Sequence, residues 1–174
     1  TLIIYNDKVV VDEPSIVAFH QTLSEDSIRL RYMQSMKLDQ RTAHERLLRI
    51  CFVDYDRELA LVAESPELAA PGLPGDRPGR TIMAVGRLSR DRVRSPDGTF
   101  RAEFSLLVGD PWQSHGVGRE LLGRLVEIAR RERFSLVYAD ILQSNLRMQR
   151  LCAHFGFTFG PCDGDSVIRA ELRV

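Results

Sequence analysis

The sequence contains no apolar run long enough to span a membrane and no excess of charge of either sign. Lysine plus arginine and aspartate plus glutamate each number 24, so the formal net charge is zero. A neutral chain has no overall electric field that would attract nucleic acid or an anionic membrane surface. The N-terminal residues also carry no signal-peptide pattern. We therefore expect neither nucleic acid nor a membrane among the partners of this chain.

Cysteine and histidine are sparse and show no ligand spacing. Three cysteines and four histidines are scattered along the chain: Cys51, Cys152, Cys162, His20, His44, His115 and His154. Zinc and redox sites are marked by pairs such as Cys-x-x-Cys, or by two histidines on one helix face. Because neither pattern occurs, we expect no metal. Unpaired cysteines favour a reducing, cytoplasmic setting.

The composition suits a single domain over residues 1–174. The chain is 44% hydrophobic, enough for one sizeable core, and has no internal repeat. Strand and helix periodicities alternate, which predicts a mixed α/β fold. Strands are predicted near 2–5, 9–11, 58–64, 81–89, 101–108, 135–141 and 167–174. Helices are predicted over 13–23, 24–36 and 42–51 and after Gly116 and Asn145, with an exposed loop over 65–80.

One short segment, Gln113–Arg119, stands between a strand and a helix. It follows the apolar pattern Phe104–Val108 and an Asp-Pro turn. Apolar residues recur at helical spacing after it, from Leu121 to Ala129, so its glycines lie at a helix N-terminus. The first N–H groups of a helix lack intrahelical acceptors, and the helix dipole is positive there. The segment, hereafter the phosphate turn, therefore predicts an anion site.

Two common phosphate motifs do not fit this turn. The dinucleotide fingerprint needs a third glycine at the position of Leu121, and the P-loop needs Gly-Lys followed by Ser or Thr. The pattern Gln-x-x-Gly-x-Gly instead resembles the pyrophosphate-binding signature of the GNAT superfamily of acyl-CoA-dependent N-acetyltransferases. A second GNAT-like feature follows it, in which Asn145 opens a helix after a strand and the pair Gly156 and Phe157 ends that helix.

The resemblance implies the GNAT fold, an α/β fold with a central, mostly antiparallel sheet of six to seven strands, flanked by helices and splayed between strands 4 and 5. It also implies acetyl-CoA as co-substrate. The pyrophosphate would be held by the backbone of Gln113, Ser114, His115, Gly116, Val117, Gly118 and Arg119. Leu107 and Val108 would pair with the pantetheine, and Asn145 would contact it. The alternative for Asn145 is that it caps its helix. The alternative for Arg119 is that it is a surface residue without a role in binding.

A narrower resemblance lies nearer the N-terminus. Leu23–Tyr32 and Asp54–Ala63 are similar to segments of the acetyltransferase domain of Pat-type bacterial protein lysine acetyltransferases. The Arg-Pro pair customary near the first strand of that group is absent, since residues 2–6 read Leu-Ile-Ile-Tyr-Asn. The resemblance implies that the acceptor is a protein lysine, such as one on an acyl-CoA synthetase.

Acyl transfer to an amine needs a base, because a lysine ammonium with a pKa of about 10.4 has no free lone pair at neutral pH. Glu103 is the candidate, because it is a carboxylate on an otherwise apolar strand, where it shares one face with Ser105 and Leu107. Such a carboxylate lies either at the solvated end of the strand or in a cleft. A cleft that removes water raises the pKa of a carboxyl toward a useful value. The Pat resemblance implies this role as well. A solvated glutamate beside Arg101 is the alternative.

Cys152 occupies the position at which many GNAT enzymes carry a tyrosine as general acid, four residues before the glycine of the Gly-Phe pair. Its thiol is either a weak acid for the departing thiolate or a small packed residue. The CoA thiol is itself acidic enough to leave unaided. We therefore expect direct transfer, without a covalent acyl-enzyme.

Two other functions stay open on the sequence alone. A small-molecule amine can replace the protein lysine as acceptor at the same site. A non-catalytic domain that senses acyl-CoA would keep the phosphate turn and make no use of Glu103. Thiol release from acetyl-CoA in the presence of amines separates these functions. The oligomeric state, monomer or homodimer, is equally open.

Overall fold

One seven-stranded sheet runs through the part of the chain that the computed structural model describes, residues 3–6, 13–46, 57–65, 81–161 and 166–174. The strands are β1 (Ile3–Asn6), β2 (Glu58–Ser65), β3 (Thr81–Arg90), β4 (Arg101–Val108), β5 (Leu136–Leu142), β6 (Thr158–Pro161) and β7 (Val167–Arg173). Their order across the sheet is β1-β2-β3-β4-β5-β7-β6. The predicted mixed α/β fold is thereby confirmed.

Helices cover both faces of the sheet. They are α1 (Glu13–Gln21), α2 (Glu25–Tyr32), α3 (Leu38–Arg41), α4 (Val117–Arg131) and α5 (Leu146–His154), with a 3₁₀ turn at Asp110–Trp112. Phe104 of β4 packs with Leu121 of α4 in one buried cluster. Leu107, on the other face of β4, packs with Phe19 of α1 and Ile28 of α2. None of the helices in the described ranges is long and apolar enough to cross a bilayer.

Strands β4 and β5 form a parallel pair that is joined only at its beginning. Arg101–Glu103 aligns with Leu136–Tyr138, and no further residues of the two strands pair within the described ranges. The other neighbouring strands are antiparallel. The sheet is therefore splayed between strands 4 and 5, as predicted.

Local signals determine where α2 and α4 begin and end. The Ser24 hydroxyl caps α2 by accepting a hydrogen bond from the Ser27 N–H at 3.2 Å. Met33 ends α2 in a left-handed conformation with φ of 58°, so the helix is shorter than the predicted 24–36. Helix α4 begins after Gly116, whose φ is 86°, and its leucines face the core as their spacing predicts.

Some expectations differ from the structure or fall outside it. Periodicity does not predict β6, because its mostly exposed residues show no apolar alternation. Arg169, whose side chain belongs to the polar face of β7, is half-buried and binds Asp140 through two hydrogen bonds of 2.7 and 2.8 Å. The expected strand at 9–11, much of the expected helix at 42–51 and nearly all of the loop at 65–80 lie outside the described residues.

Gly109, which follows β4, has no room for a side chain. A Cβ there would lie 2.6 Å from Thr22 Oγ1 and 2.7 Å from the Trp112 ring. Because these neighbours must shift, we expect Gly109→Ala to lower the free energy of unfolding by about 1–3 kcal/mol, measured by urea denaturation. Gly160→Ala is the control, since a Cβ there meets no atom within 4 Å and should change stability by less than about 0.5 kcal/mol. Equal losses in the two variants would contradict this account.

Candidate active site

The divergence of β4 and β5 opens a cavity of about 630 Å³. Strand β4 lines it from Glu103 to Val108, and β5 lines it from Ala139 to Ile141. The phosphate turn, parts of α2 and the start of α5 complete its walls. A cavity of this size and shape suits a small ligand held between two strands.

Most of the predicted site residues line this cavity: Glu103, Leu107, Val108, Gln113, Ser114, Gly116, Gly118, Arg119 and Asn145. The side chains of His115 and Val117 do not. His115 is exposed, with Nδ1 2.8 Å from the Gln113 carbonyl oxygen, and Val117 is buried in the core. These two residues belong to the phosphate turn through their backbone alone.

The backbone of the phosphate turn leaves amides without helical acceptors. Ser114 and Gly116 are left-handed, with φ of 64° and 86°. The first hydrogen bond of α4 runs from the Glu120 N–H to the Gly116 carbonyl at 3.0 Å. The amides of residues 117–119 therefore have no acceptor within the helix. Together with the positive end of the helix dipole, they suit a pyrophosphate.

The side chain of Gln113 fastens the phosphate turn to α2 and α5. Its Nε2 lies 3.1 Å from the Val108 carbonyl oxygen, 3.0 Å from Asp110 Oδ1 and 2.9 Å from Ser27 Oγ. Its Oε1 accepts a hydrogen bond from Arg147 of α5. The sequence motif places Gln113 in the turn. Its partner Ser27 is 86 positions away, and no sequence pattern indicates that the two residues are in contact.

Asn145 is both a helix cap and a cavity residue. Its Oδ1 accepts a hydrogen bond from the Met148 N–H at 3.1 Å, at the start of α5. The capping alternative is therefore confirmed by the geometry. Asn145 also lines the cavity, and the cap engages only its side-chain oxygen. Arg119 is exposed at the same cavity, which is compatible with either of its expected roles.

Glu103 is the last residue of β4 that pairs with β5, and it lines the cavity. Desolvation raises the pKa of its carboxyl above that of an ordinary glutamate, and although the Arg31 charge opposes this shift, Asp140 and Asp91 add to it. The side chain is nevertheless exposed to solvent, as the solvated alternative expects. A carboxyl with a raised pKa accepts a proton more readily, as a general base must.

Both acidic and basic groups lie near Glu103, namely Asp91 and Asp140 and the arginines Arg31 and Arg169. Its register partner Tyr138 donates its hydroxyl to Asp91 at 2.7 Å, and Asp140 lines the same cavity. Burial and the bond to Asp91 raise the pKa of Tyr138 to about 12, so this hydroxyl stays protonated near neutral pH. Sequence reasoning misses these residues, because their proximity depends on strand pairing. Among the described residues, no group of three His, Cys, Asp or Glu is arranged to hold a metal ion.

Cys152 lies outside the cavity. Its side chain is fully buried in the core cluster, and burial raises the pKa of the thiol to about 12. A thiol that does not reach the cavity and is this weak an acid is not placed to protonate a leaving group. This position supports the packing alternative for Cys152.

Comparisons with known proteins agree with this geometry. Residues 32–157 match the model of the Acetyltransferase (GNAT) family. The GNAT domain of S. lividans PAT has 22% identity, a TM-score of 0.78 and coverage of 98% of this chain and 89% of that chain. The putative acetyltransferase yncA from Salmonella typhimurium, solved with acetyl-CoA, has 19% identity, a TM-score of 0.60 and coverage of 99% and 93%.

A third structure, the paia N-acetyltransferase from Thermoplasma acidophilum in complex with coenzyme A, has 15% identity, a TM-score of 0.68 and coverage of 100% and 99%. At these identities the solved structures establish the shared fold. The family model goes further, since it spans well over half of the chain and includes Glu103, the phosphate turn and Asn145. As the two sequence motifs predicted, the chain belongs to the GNAT family of acetyltransferases.

Proposed function

We propose that this chain transfers the acetyl group of acetyl-CoA directly to a primary amine, the side chain of a protein lysine. The observation that carries the proposal is a shared cavity, because the phosphate turn and Glu103 line the same opening between β4 and β5. The turn suits a pyrophosphate, and the carboxylate can take a proton. A thioester and an amine would meet between these two features.

In this proposal the backbone amides of residues 117–119 donate hydrogen bonds to the pyrophosphate. The edge of β4 that β5 leaves open, at Leu107 and Val108, then pairs with the pantetheine. The Val108 carbonyl is already engaged by Gln113, so the other backbone groups of this edge carry the pairing. The yncA and paia structures, which contain acetyl-CoA and coenzyme A, support this ligand.

Glu103 removes a proton from the acceptor amine, directly or through a water. The nitrogen lone pair attacks the carbonyl carbon of the thioester, and backbone N–H groups stabilise the oxyanion that develops. As the C–N bond is made and the C–S bond breaks, the electron pair of the C–S bond leaves with sulfur as the CoA thiolate, and the excess proton on the nitrogen passes to water or to this thiolate. This leaving group needs no protein acid, which agrees with the burial of Cys152.

The Glu103 carboxylate itself favours a cationic acceptor, because a lysine ammonium carries the opposite charge. Asp140 lines the same cavity and Asp91 lies within electrostatic reach of Glu103, but Arg169 pairs with Asp140 at 2.7 Å and Arg101 pairs with Asp91 at 2.9 Å. The Pat-type resemblance supports a protein lysine, such as one on an acyl-CoA synthetase. The cytoplasmic setting and the monomeric or homodimeric state stay predictions from the sequence.

A small-molecule amine acceptor and a non-catalytic acyl-CoA sensor are the alternatives. Both would use the phosphate turn, but only an enzyme uses Glu103. A panel of small amines, folded proteins and denatured proteins identifies the acceptor. Thiol release from acetyl-CoA with any of these acceptors excludes the sensor.

Glu103→Gln removes the base and keeps the shape of the side chain. We expect turnover to fall by on the order of 10²-fold or more, the usual size of a general-base contribution, with an unchanged Kd for acetyl-CoA. Thiol release and calorimetric titration measure the two quantities. Glu120→Gln is the control, since Glu120 is exposed on α4 and pairs with Arg124 at 2.9 Å. Undiminished turnover of Glu103→Gln would remove Glu103 from the mechanism.

The raised pKa of Glu103 also predicts an effect on stability. The folded state binds the proton of Glu103 more tightly than the unfolded chain does, so ionising this residue costs folding free energy. This cost is absent below the unfolded pKa of about 4.3 and appears as the pH rises through the folded pKa. In urea, Glu103→Gln should therefore be more stable than the parent protein at neutral pH and match it at acidic pH. A variant that is less stable at neutral pH would refute the shift.

Gly116 and Gly98 form a matched pair for testing the phosphate turn. Their φ angles are 86° and 82°, and a Cβ on either meets no atom within 4 Å. Alanine should strain each backbone equally, by about 1–2 kcal/mol. We expect similar losses of Tm in both variants, but only Gly116→Ala should weaken CoA binding, by about tenfold or more, because it reorients amides that face a charged ligand. Equal CoA affinities in calorimetry would contradict the assignment of the turn.

A further inference from the structure

A second cavity, of about 470 Å³, lies on the α1 and α2 side of the sheet. Arg31, Ser105 and Leu107 line both cavities. Because Ser105 and Leu107 share a face of β4 with Glu103, the second cavity adjoins the first on the side of the proposed base. The acetyl transfer proposed above makes no use of this space.

Two guanidinium groups, those of Arg31 and Arg46, line the second cavity without a directly bonded counter-ion, although the charge of Glu103 acts on Arg31 from the first cavity. Arg31 and Arg46 are half-buried, and both lie over the Tyr32 ring, at 5.0 and 4.8 Å from its centroid. Apart from this contact, neither guanidinium has a hydrogen bond or an ion pair with any described residue, and Nε of Arg46 is buried without a partner. Burial lowers the pKa of Arg31, as it does for a cation that has lost water.

His20 adds a buried polar atom to the same wall. Its side chain is 2% exposed, and its Nδ1 has no hydrogen-bond partner. Burial, Arg41 and Arg46 lower the pKa of His20 to about 4, so the ring is neutral at physiological pH. Polar atoms this deeply buried are normally hydrogen-bonded. The unmet Nδ1 of His20 and Nε of Arg46 therefore mark a place for a polar ligand.

The charges around the cavity fit one negative charge. Arg87 pairs with Glu58 at 3.5 Å, and Glu45 is exposed. Counted over the described residues of the lining alone, Arg31, Arg46 and Arg87 stand against Glu45 and Glu58, which leaves one positive charge in excess. A carboxylate carries a single charge and matches the guanidinium fork, whereas a phosphate brings more charge. The cofactor pyrophosphate is not the candidate, because no residue of the phosphate turn lines this cavity.

We infer that the acceptor carries a carboxylate near its amine, and that Arg31 and Arg46 bind this carboxylate in the second cavity while the amine reaches Glu103. The inference rests on the proposed acetyl transfer and narrows its substrate class. An acidic side chain beside the target lysine and the α-carboxylate of a free amino acid supply the same chemistry. The two arginines position the acceptor and do not touch the reacting atoms.

Matched acceptors test this inference. One set consists of peptides with a single lysine and either Glu or Gln at each nearby position, and a second set consists of Nα-acetyl-lysine and its amide. We expect the acidic member of at least one pair to have a kcat/KM about tenfold higher or more, the size of a charge-assisted hydrogen bond. Arg46→Gln should abolish this preference, so that the acidic and neutral members of a pair react with similar kcat/KM. The set that shows the preference identifies the source of the carboxylate.

Controls separate recognition from folding. Arg131→Gln, at an exposed arginine of α4 that pairs with Glu127, should keep the preference. Arg46→Gln should unfold at no lower temperature than the parent protein, because it loses a half-buried charge without a counter-ion. Titration of the same acceptors into the CoA-bound protein gives Kd values that do not depend on turnover.

Equal kcat/KM and equal Kd for acidic and neutral members would overturn the inference. A preference that survives Arg46→Gln would overturn it as well. Either result leaves acetyl transfer intact if the neutral acceptors are still acetylated. Failure of every amine to be acetylated would instead remove the proposed function, while the Kd values still test the carboxylate site.

Discussion

The short parallel pairing of β4 and β5 is the constraint on which the site depends. The two strands align only over Arg101–Glu103 and Leu136–Tyr138. Backbone N–H and C=O groups inside a protein need partners, so an edge left open in the middle of a sheet favours a strand-like ligand or water. Glu103 is the last residue of β4 that pairs with β5. The same register therefore determines where the cavity opens and where the carboxylate lies.

A polar network then connects parts of the site that are distant in sequence. Asp110 accepts hydrogen bonds from the Ser27 hydroxyl at 2.6 Å and from the Ser24 N–H at 3.3 Å, and Gln113 contacts both Ser27 and Arg147. Helix α2 is thus attached to the phosphate turn at its first residues. Arg31 lies near its other end. One short helix therefore spans the distance between the cofactor side of the site and the second cavity.

Elements around the cavity are predictable where their signals are local. Strand β4 begins and ends where its apolar pattern does, and Ser24 and Asn145 cap helices as their side chains suggest, because such signals lie within a few residues. Contacts between distant residues carry no such signal, so the Gln113–Ser27 bond could not be predicted. Cys152 shows the same limit, since its motif position indicates an acid while core packing decides its chemistry.

The sheet has two halves, β1 to β4 and β5 with β7 and β6, that meet at one narrow seam. Such a seam is where a sheet can flex with the loss of the fewest hydrogen bonds. A molecule that occupies the gap touches both halves and acts as an inserted strand. In the proposed function, acetyl-CoA therefore bridges the two halves of the sheet as well as donating the acetyl group. Its binding stabilises the folded chain by mass action.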